Sequence, residues 1–207
     1  MSQQDIPQFT GEEIAYWFLR LNGCLSIRNF LLHPPRRGGL RTDADIVAVR
    51  FPHRREYGMV DHHLFQQSSR VDFVIAEVKT HQPCSLNGPW TAPDKYNINH
   101  LLESIGPLPK TEVATAASAL YERGTYENDW FHARLVAFGD GVNDSLRKDF
   151  PVVPQLLWAD VLEFIYHRHR KHRKQKKDHD QWDPAGKWLY EAATHMPLDS
   201  FTELALP

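Results

Sequence analysis

Asp72-Phe73-Val74-Ile75-Ala76-Glu77-Val78-Lys79 decides how the rest of the chain is read. In an extended segment Val74, Ala76 and Val78 point to one side and Phe73, Ile75, Glu77 and Lys79 to the other. Apolar residues on both sides predict a central strand covered on both faces, turning polar only where it ends. Upstream, Asp45-Ile46-Val47-Ala48-Val49-Arg50-Phe51 is a β-branched run closed by Pro52, and reads as a strand opened by Asp45. Residues 25–32 (LSIRNFLL) read as another, with Pro34-Pro35-Arg36-Arg37-Gly38-Gly39 as a loop between them. Before these, Thr10 caps a predicted helix, with Glu13 three residues later as in a capping box. Ile14, Trp17, Phe18 and Leu21 follow at helical spacing, and Gly23 ends the helix.

Downstream, Pro83 to Pro93 is a predicted loop. Its Gly88-Pro89-Trp90 is a rigid turn with an aromatic anchor, or, as the lesser alternative, part of a substrate loop. Helices are predicted over about 95–105 and 111–123, and a strand over 131–138 (FHARLVAF), ended by Gly139-Asp140-Gly141. A long helix runs from about Gln155 through a basic segment, with Trp158, Phe164 and Ile165 on its core face. A final helix spans Trp182 to Ala193, and residues 53–70 form a loop or short hairpin. The order α-β-β-β-α-β-α predicts an α/β sandwich around a mixed sheet.

The chain has 207 residues, enough for one domain or one domain with an appendage. With 42% apolar and 24% charged residues it is not globally disordered. Its formal charge of −2 hides a split, because residues 167–177 (HRHRKHRKQKK) hold seven Lys/Arg and no acid. Subtracting them leaves 17 basic and 26 acidic side chains elsewhere, an anionic body with one cationic segment. Cys24 and Cys84 match no metal spacing and read as reduced thiols. His53, His62, His63 and His81 likewise form no closed zinc pattern. The opening MSQQDIPQFTGEE lacks the basic and apolar regions of a signal peptide, and no apolar run reaches the length of a membrane span. The expected location is cytoplasmic.

Acids and a lysine meet on these elements. Asp45 opens one strand, Glu77 and Lys79 share a face at the end of the next, and Glu12 lies in the first helix. Carboxylates brought close raise each other's pKa unless a cation sits between them. Mg²⁺ (or Mn²⁺) suits such a pair, since it accepts one or two carboxylates completed by phosphate and water. The main-chain carbonyl of Val78 is a third candidate oxygen. A cation there can activate water and offset charge on a phosphodiester, with Lys79 holding the water or phosphate oxygens.

These residues resemble the PD-(D/E)XK, or restriction-endonuclease-like, nuclease superfamily: an acid on one strand (Asp45), then Glu/Asp-X-Lys on the next (Glu77-Val78-Lys79). Gly11-Glu12 with Ala15, Phe18-Leu19, Gly23 and Asn29 is similar to the opening of its Holliday-junction-resolvase-like bacterial members. The resemblance covers roughly residues 10–140. It implies a restriction-endonuclease-like mixed central sheet flanked by helices, and metal-dependent hydrolysis of DNA. Asp45, Glu77, Lys79 and Glu12 would be catalytic, and Asp45, Glu77 and Val78 would hold metal. Two departures stand out. Thr42-Asp43-Ala44 replaces the usual Pro before the acid, leaving Asp43 as a competitor to Asp45, and an insertion at 53–70 widens the gap to Glu77.

The resulting organisation is a nuclease-like core over 1–150 and C-terminal helices over 151–207 that carry the basic segment, packed on the core or extending from it. Arg168, Arg170, Lys171, Arg173, Lys174, Lys176 and Lys177 are the expected DNA-backbone contacts, on a helix end emerging beyond the body beside the nuclease site. DNA is the expected partner and a membrane is not; a homodimer, or a protein partner supplying specificity, fits the lack of any visible base-reading motif. Two rival readings are a binding module of the same fold without hydrolysis, and a subunit of a larger assembly.

Overall fold

The structure, a computed structural model, describes residues 9–33, 41–66, 69–177 and 182–207. The Pro34–Gly39 loop and most of the stretch compared with signal peptides lie outside the described residues. Helix α1 (Gly11–Leu21) begins as its sequence predicts: the Thr10 hydroxyl accepts from Glu13 N, and the Glu13 carboxylate accepts from Thr10 N. Strands β1 (Leu25–Leu32) and β2 (Thr42–Arg50) form an antiparallel pair, and β2 pairs antiparallel with β3 (Val71–Val78). A short helix α2 (Gly88–Thr91) follows, then α3 (Asn97–Ile105) and α4 (Lys110–Arg123), before β4 (Thr125–Glu127) and β5 (Phe131–Gly139). After α5 (Asp144–Asp149) come β6 (Gln155–Leu157), α6 (Trp158–Lys171), α7 (Pro184–His195) and α8 (Leu198–Ala205).

The six strands form one mixed sheet in the order β1-β2-β3-β5-β4. β3 and β5 run parallel, and β6 adds a parallel pairing at the end of β5. Helices cover both faces. Val74, Ala76 and Val78 pack with α1, α6, α7 and α8, while Phe73 and Ile75 pack with α3 and α4, the division that the alternation along β3 requires. The sheet is open, with β1 as one edge, and no helix among the described residues is long and apolar enough to cross a membrane.

Several boundaries differ from the sequence reading. β2 starts at Thr42 rather than Asp45, because the β1 pairing continues to Leu32–Thr42 past the apolar run. Residues 155–157, expected to begin the long helix, are strand β6. That helix ends at Lys171, so the rest of the basic segment is not helical. The helix expected over Trp182 to Ala193 is α7, while α8, β4, α5 and, within the expected Pro83–Pro93 loop, α2 have no counterpart in the sequence reading. These short elements are held mainly by tertiary pairing and packing rather than by a strong repeat of their own.

The C-terminal helices share a core with α1 and the sheet, and β6 belongs to the sheet. The basic segment therefore does not emerge beyond the body. Arg168 is 4% exposed; its guanidinium donates to Leu21 O (3.0 Å) and Val60 O (2.7 Å) and pairs with Asp61 (3.3 Å). Asp61 also pairs with Arg50 and Arg54, each at 2.6 Å, and holds the inserted 53–62 stretch against the sheet end. The region expected as a loop or hairpin, residues 53–70, contains a 3₁₀ turn at His63–Phe65 and, among the described residues, no hairpin.

Candidate active site

The paired register of β2 and β3 runs from Arg50–Asp72 to Ile46–Ala76, which brings Asp45 to the end of β3, where its charge acts on Glu77. Asp45 reaches the end of β3 directly: its Oδ2 accepts from Val78 N at 2.7 Å. The inside–outside alternation of β2 slips at this point, since Ala44 is buried with Val47 on one face of the sheet and Ile46 on the other. Opposite the slip on β1, Asn29 takes a left-handed backbone (φ 52°), which its short polar side chain tolerates. Local distortions of this kind re-aim a side chain out of the regular pleat.

Glu77 is 2% exposed and fully engaged. Its Oε1 accepts from Lys79 Nζ at 2.6 Å and its Oε2 from Trp90 Nε1 at 2.7 Å. The Lys79 ammonium also donates to Asn87 Oδ1 at 2.7 Å. The Lys79 main chain is fixed from both sides, with its N–H donating to Phe138 O and its carbonyl accepting from Trp158 Nε1, each at 3.0 Å. Burial pushes the Glu77 carboxyl above its ordinary range and the charge of Asp45 adds to this, while Lys79 and Trp90 pull it down. Burial likewise raises Asp45; the Val78 N–H opposes that, and the charge of Glu12 reinforces it.

Glu12 reaches the site because Gly11 lets the first turn of α1 lie on the end of β3. A Cβ at Gly11 would come within 2.8 Å of both Val78 Cγ1 and Thr80 Oγ1. The two helical acids thus have separate jobs. Glu13 closes the capping box and lies 3.7 Å from Arg28, whereas Glu12 acts on Asp45. Asp43 is exposed and paired across from Leu31, and Asp45 is the acid bonded to β3.

Asp45, Glu77, Lys79 and Glu12 therefore converge at one end of the sheet, with Val78 between them. Among the described residues no group of three or more His, Cys, Asp or Glu side chains could hold a metal ion. The donor set is two carboxylates plus a main-chain carbonyl, which fits a cation that keeps water and phosphate in its shell and does not fit a closed protein cage. Of the histidines weighed in the sequence, His53, His63 and His81 are exposed, and His62 packs against Phe18. Burial pushes Cys24 up to about 12 and Cys84 up to about 11, so neither is a thiolate nucleophile at neutral pH.

The basic segment is not beside this site. Gly11 at the start of α1 lies near Trp158 at the start of α6, and Leu21 at the end of α1 bonds Arg168 near the end of α6. The helices run side by side, so the segment lies about 20 Å away, the rise of 14 residues of helix α6. Of its cations, Arg168 is buried, Arg170 donates to Ala193 O and Met196 O, and Lys176 pairs with Glu56. Lys171, Arg173, Lys174 and Lys177 are exposed.

Trp90 and Asn87 were not among the site residues read from the sequence. Trp90 carried a signal, a large aromatic just after the Glu-X-Lys strand; Asn87 carried none. Comparison of the chain with protein-family models, with curated proteins and with solved structures finds no match.

Proposed function

We propose that the chain is a divalent-metal-dependent deoxyribonuclease of the PD-(D/E)XK type, hydrolysing DNA phosphodiester bonds with Mg²⁺ or Mn²⁺. One observation carries the reading: Asp45 bonds Val78 N at the end of β3 and its charge acts on the neighbouring Glu77, with Lys79 bonded to Glu77 and the charge of Glu12 acting on Asp45. Burial and mutual repulsion make this carboxylate pair a poor pair of free anions and a good seat for a cation. Asp45, Glu77 and the Val78 carbonyl would hold the metal, which supplies Lewis acidity toward water and the phosphate oxygens. Lys79, with its backbone pinned by Trp158 and Phe138, holds the attacking water or a phosphate oxygen; Glu12 orients that water from α1. Water oxygen bonds to phosphorus as the bond to the leaving sugar oxygen breaks.

A duplex lying along α1 and α6 would span the roughly 20 Å to Lys171, Arg173, Lys174 and Lys177, about six base-pair steps. Those cations grip the backbone without reading sequence. The engagement of both Glu77 oxygens by Lys79 and Trp90 favours a second reading, a nucleic-acid-binding module of this fold that does not cut.

The deciding experiment is a metal-by-substrate panel (supercoiled, linear, branched and single-stranded DNA, and RNA) run with wild type, Asp45→Ala, Glu77→Ala and Lys79→Ala. We expect Mn²⁺-dependent nicking or cutting of DNA that falls at least about a hundredfold in each variant. Equal activity in wild type and variants overturns the nuclease reading. So does a gel shift of DNA with no cleavage under any divalent metal, which assigns the chain to the binding module.

A further inference from the structure

Two side chains outside the acid–acid–lysine set reach the site from the same short helix. Trp90 lies in α2 and is 1% exposed, packed in the core between the sheet and α3 and α4. An indole so buried has a single polar atom to satisfy, and this one donates to Glu77 Oε2 at 2.7 Å. Asn87 occupies the N-cap of α2, where an Asn side chain ordinarily accepts from its own helix's N–H groups. It makes no such bond, and its Oδ1 accepts from Lys79 Nζ instead. The cap interaction has been diverted to the ammonium.

We propose that Trp90 and Asn87 are positioning residues of the nuclease site: Trp90 holds the Glu77 carboxylate in place to receive a divalent cation, and Asn87 gives Lys79 a seat independent of Glu77. The inference rests on the metal-dependent reading above and deepens it. Lys79 bridges Glu77 Oε1 and Asn87 Oδ1, so when Glu77 turns its Oε1 to a cation the ammonium stays anchored by Asn87. Trp90 meanwhile keeps Oε2 occupied, which leaves one orientation for the carboxylate. α2 suits this task because Pro89 in its first turn restricts the backbone and the indole fixes the helix in the core. Partners that orient a metal ligand typically change metal affinity by about 10- to 100-fold when removed.

The test is Mn²⁺ binding, followed by calorimetry or by the loss of the free-ion paramagnetic signal, on wild type, Glu77→Gln, Trp90→Phe, Asn87→Ala and Asn87→Asp. Trp90→Phe keeps an aromatic in the core and removes the N–H. We expect its Mn²⁺ affinity to fall about 10- to 100-fold, with cleavage restored at high Mn²⁺. Asn87→Ala, at an exposed position, should bind Mn²⁺ within about twofold of wild type and cut about tenfold more slowly at saturating Mn²⁺, while Asn87→Asp keeps the acceptor and the rate. Unchanged Mn²⁺ binding in Trp90→Phe, alongside its loss in Glu77→Gln, overturns the role of Trp90 and leaves the nuclease reading standing. Equal Mn²⁺ binding in wild type and Glu77→Gln overturns both. If Trp90→Phe does not fold, the Asn87 pair decides: wild-type cutting by Asn87→Ala overturns the proposal.

Discussion

Arg168→Met separates a structural arginine from a DNA-binding one. The substitution keeps an unbranched side chain of similar length over Phe164, against which the guanidinium now packs at 4.9 Å from the ring centre. It removes the donors to Leu21 O and Val60 O and one of three arginines on Asp61. Asp61 retains Arg50 and Arg54, so no uncompensated charge is left behind, and the cost comes mainly from the two carbonyls. Each buried acceptor stranded without a donor costs about 1–3 kcal/mol. Partial rehydration at this end of the sheet trims the total, and we expect a loss of about 2–4 kcal/mol. At about 2–4 °C per kcal/mol for a chain of this size, the melting midpoint falls by roughly 4–16 °C. Urea unfolding gives the free energy, and DNA binding measured over a salt series gives the second readout. Arg168→Met should leave the salt slope unchanged, whereas Lys174→Ala should lower it by about one. Wild-type stability with a shallower salt slope in Arg168→Met would refute the assignment.

Two further outcomes follow from buried groups. His169 is 0% exposed, its ring nitrogens have no hydrogen-bond partner, and burial, with the charges of Lys176 and Arg168, pushes it down to about 3. Above its ordinary pKa of about 6.5 the ring is neutral folded or unfolded. As pH drops from there toward 3 only the unfolded chain takes the proton, so stability declines across that window, by about 2 kcal/mol between pH 7 and pH 5. His169→Phe should lose about that much less over the same interval in urea titrations, and an unchanged pH dependence would disprove it. Gly11→Ala should push α1 off the end of β3, costing about 1–3 kcal/mol and weakening Mn²⁺ binding through Glu12, as read by melting and calorimetry; a variant matching wild type in both would sink the close-packing argument.

Much of the architecture was legible because it is written in short-range pattern. The apolar residues on both faces of 73–78, the capping box at Thr10–Glu13 and the helical spacing of Ile14, Trp17, Phe18 and Leu21 each report a local rule, and each element stands where that rule puts it. β4, β6 and α5 were not legible, being elements of three to six residues. The basic segment misled the reading because a count of charges carries no information on which side chains are buried. Arg168 and Lys171 look alike in sequence and lie three positions apart on α6, yet Arg168 is buried against Leu21 O and Val60 O while Lys171 is exposed.

For the candidate site the division is similar. By itself the sequence determined which acids and which lysine were available, and that Glu77 and Lys79 share one side of a strand, since the period of two is a property of any extended chain. Tertiary structure alone decided that Asp45 rather than Asp43 touches β3, that Glu13 is spent on its own helix while Glu12 acts on Asp45, and that Trp90 and Asn87 hold Glu77 and Lys79. Those choices depend on strand register, on the slip of β2 opposite Asn29 and on the close approach allowed by Gly11. All three join residues far apart in the chain, where no local periodicity carries the signal.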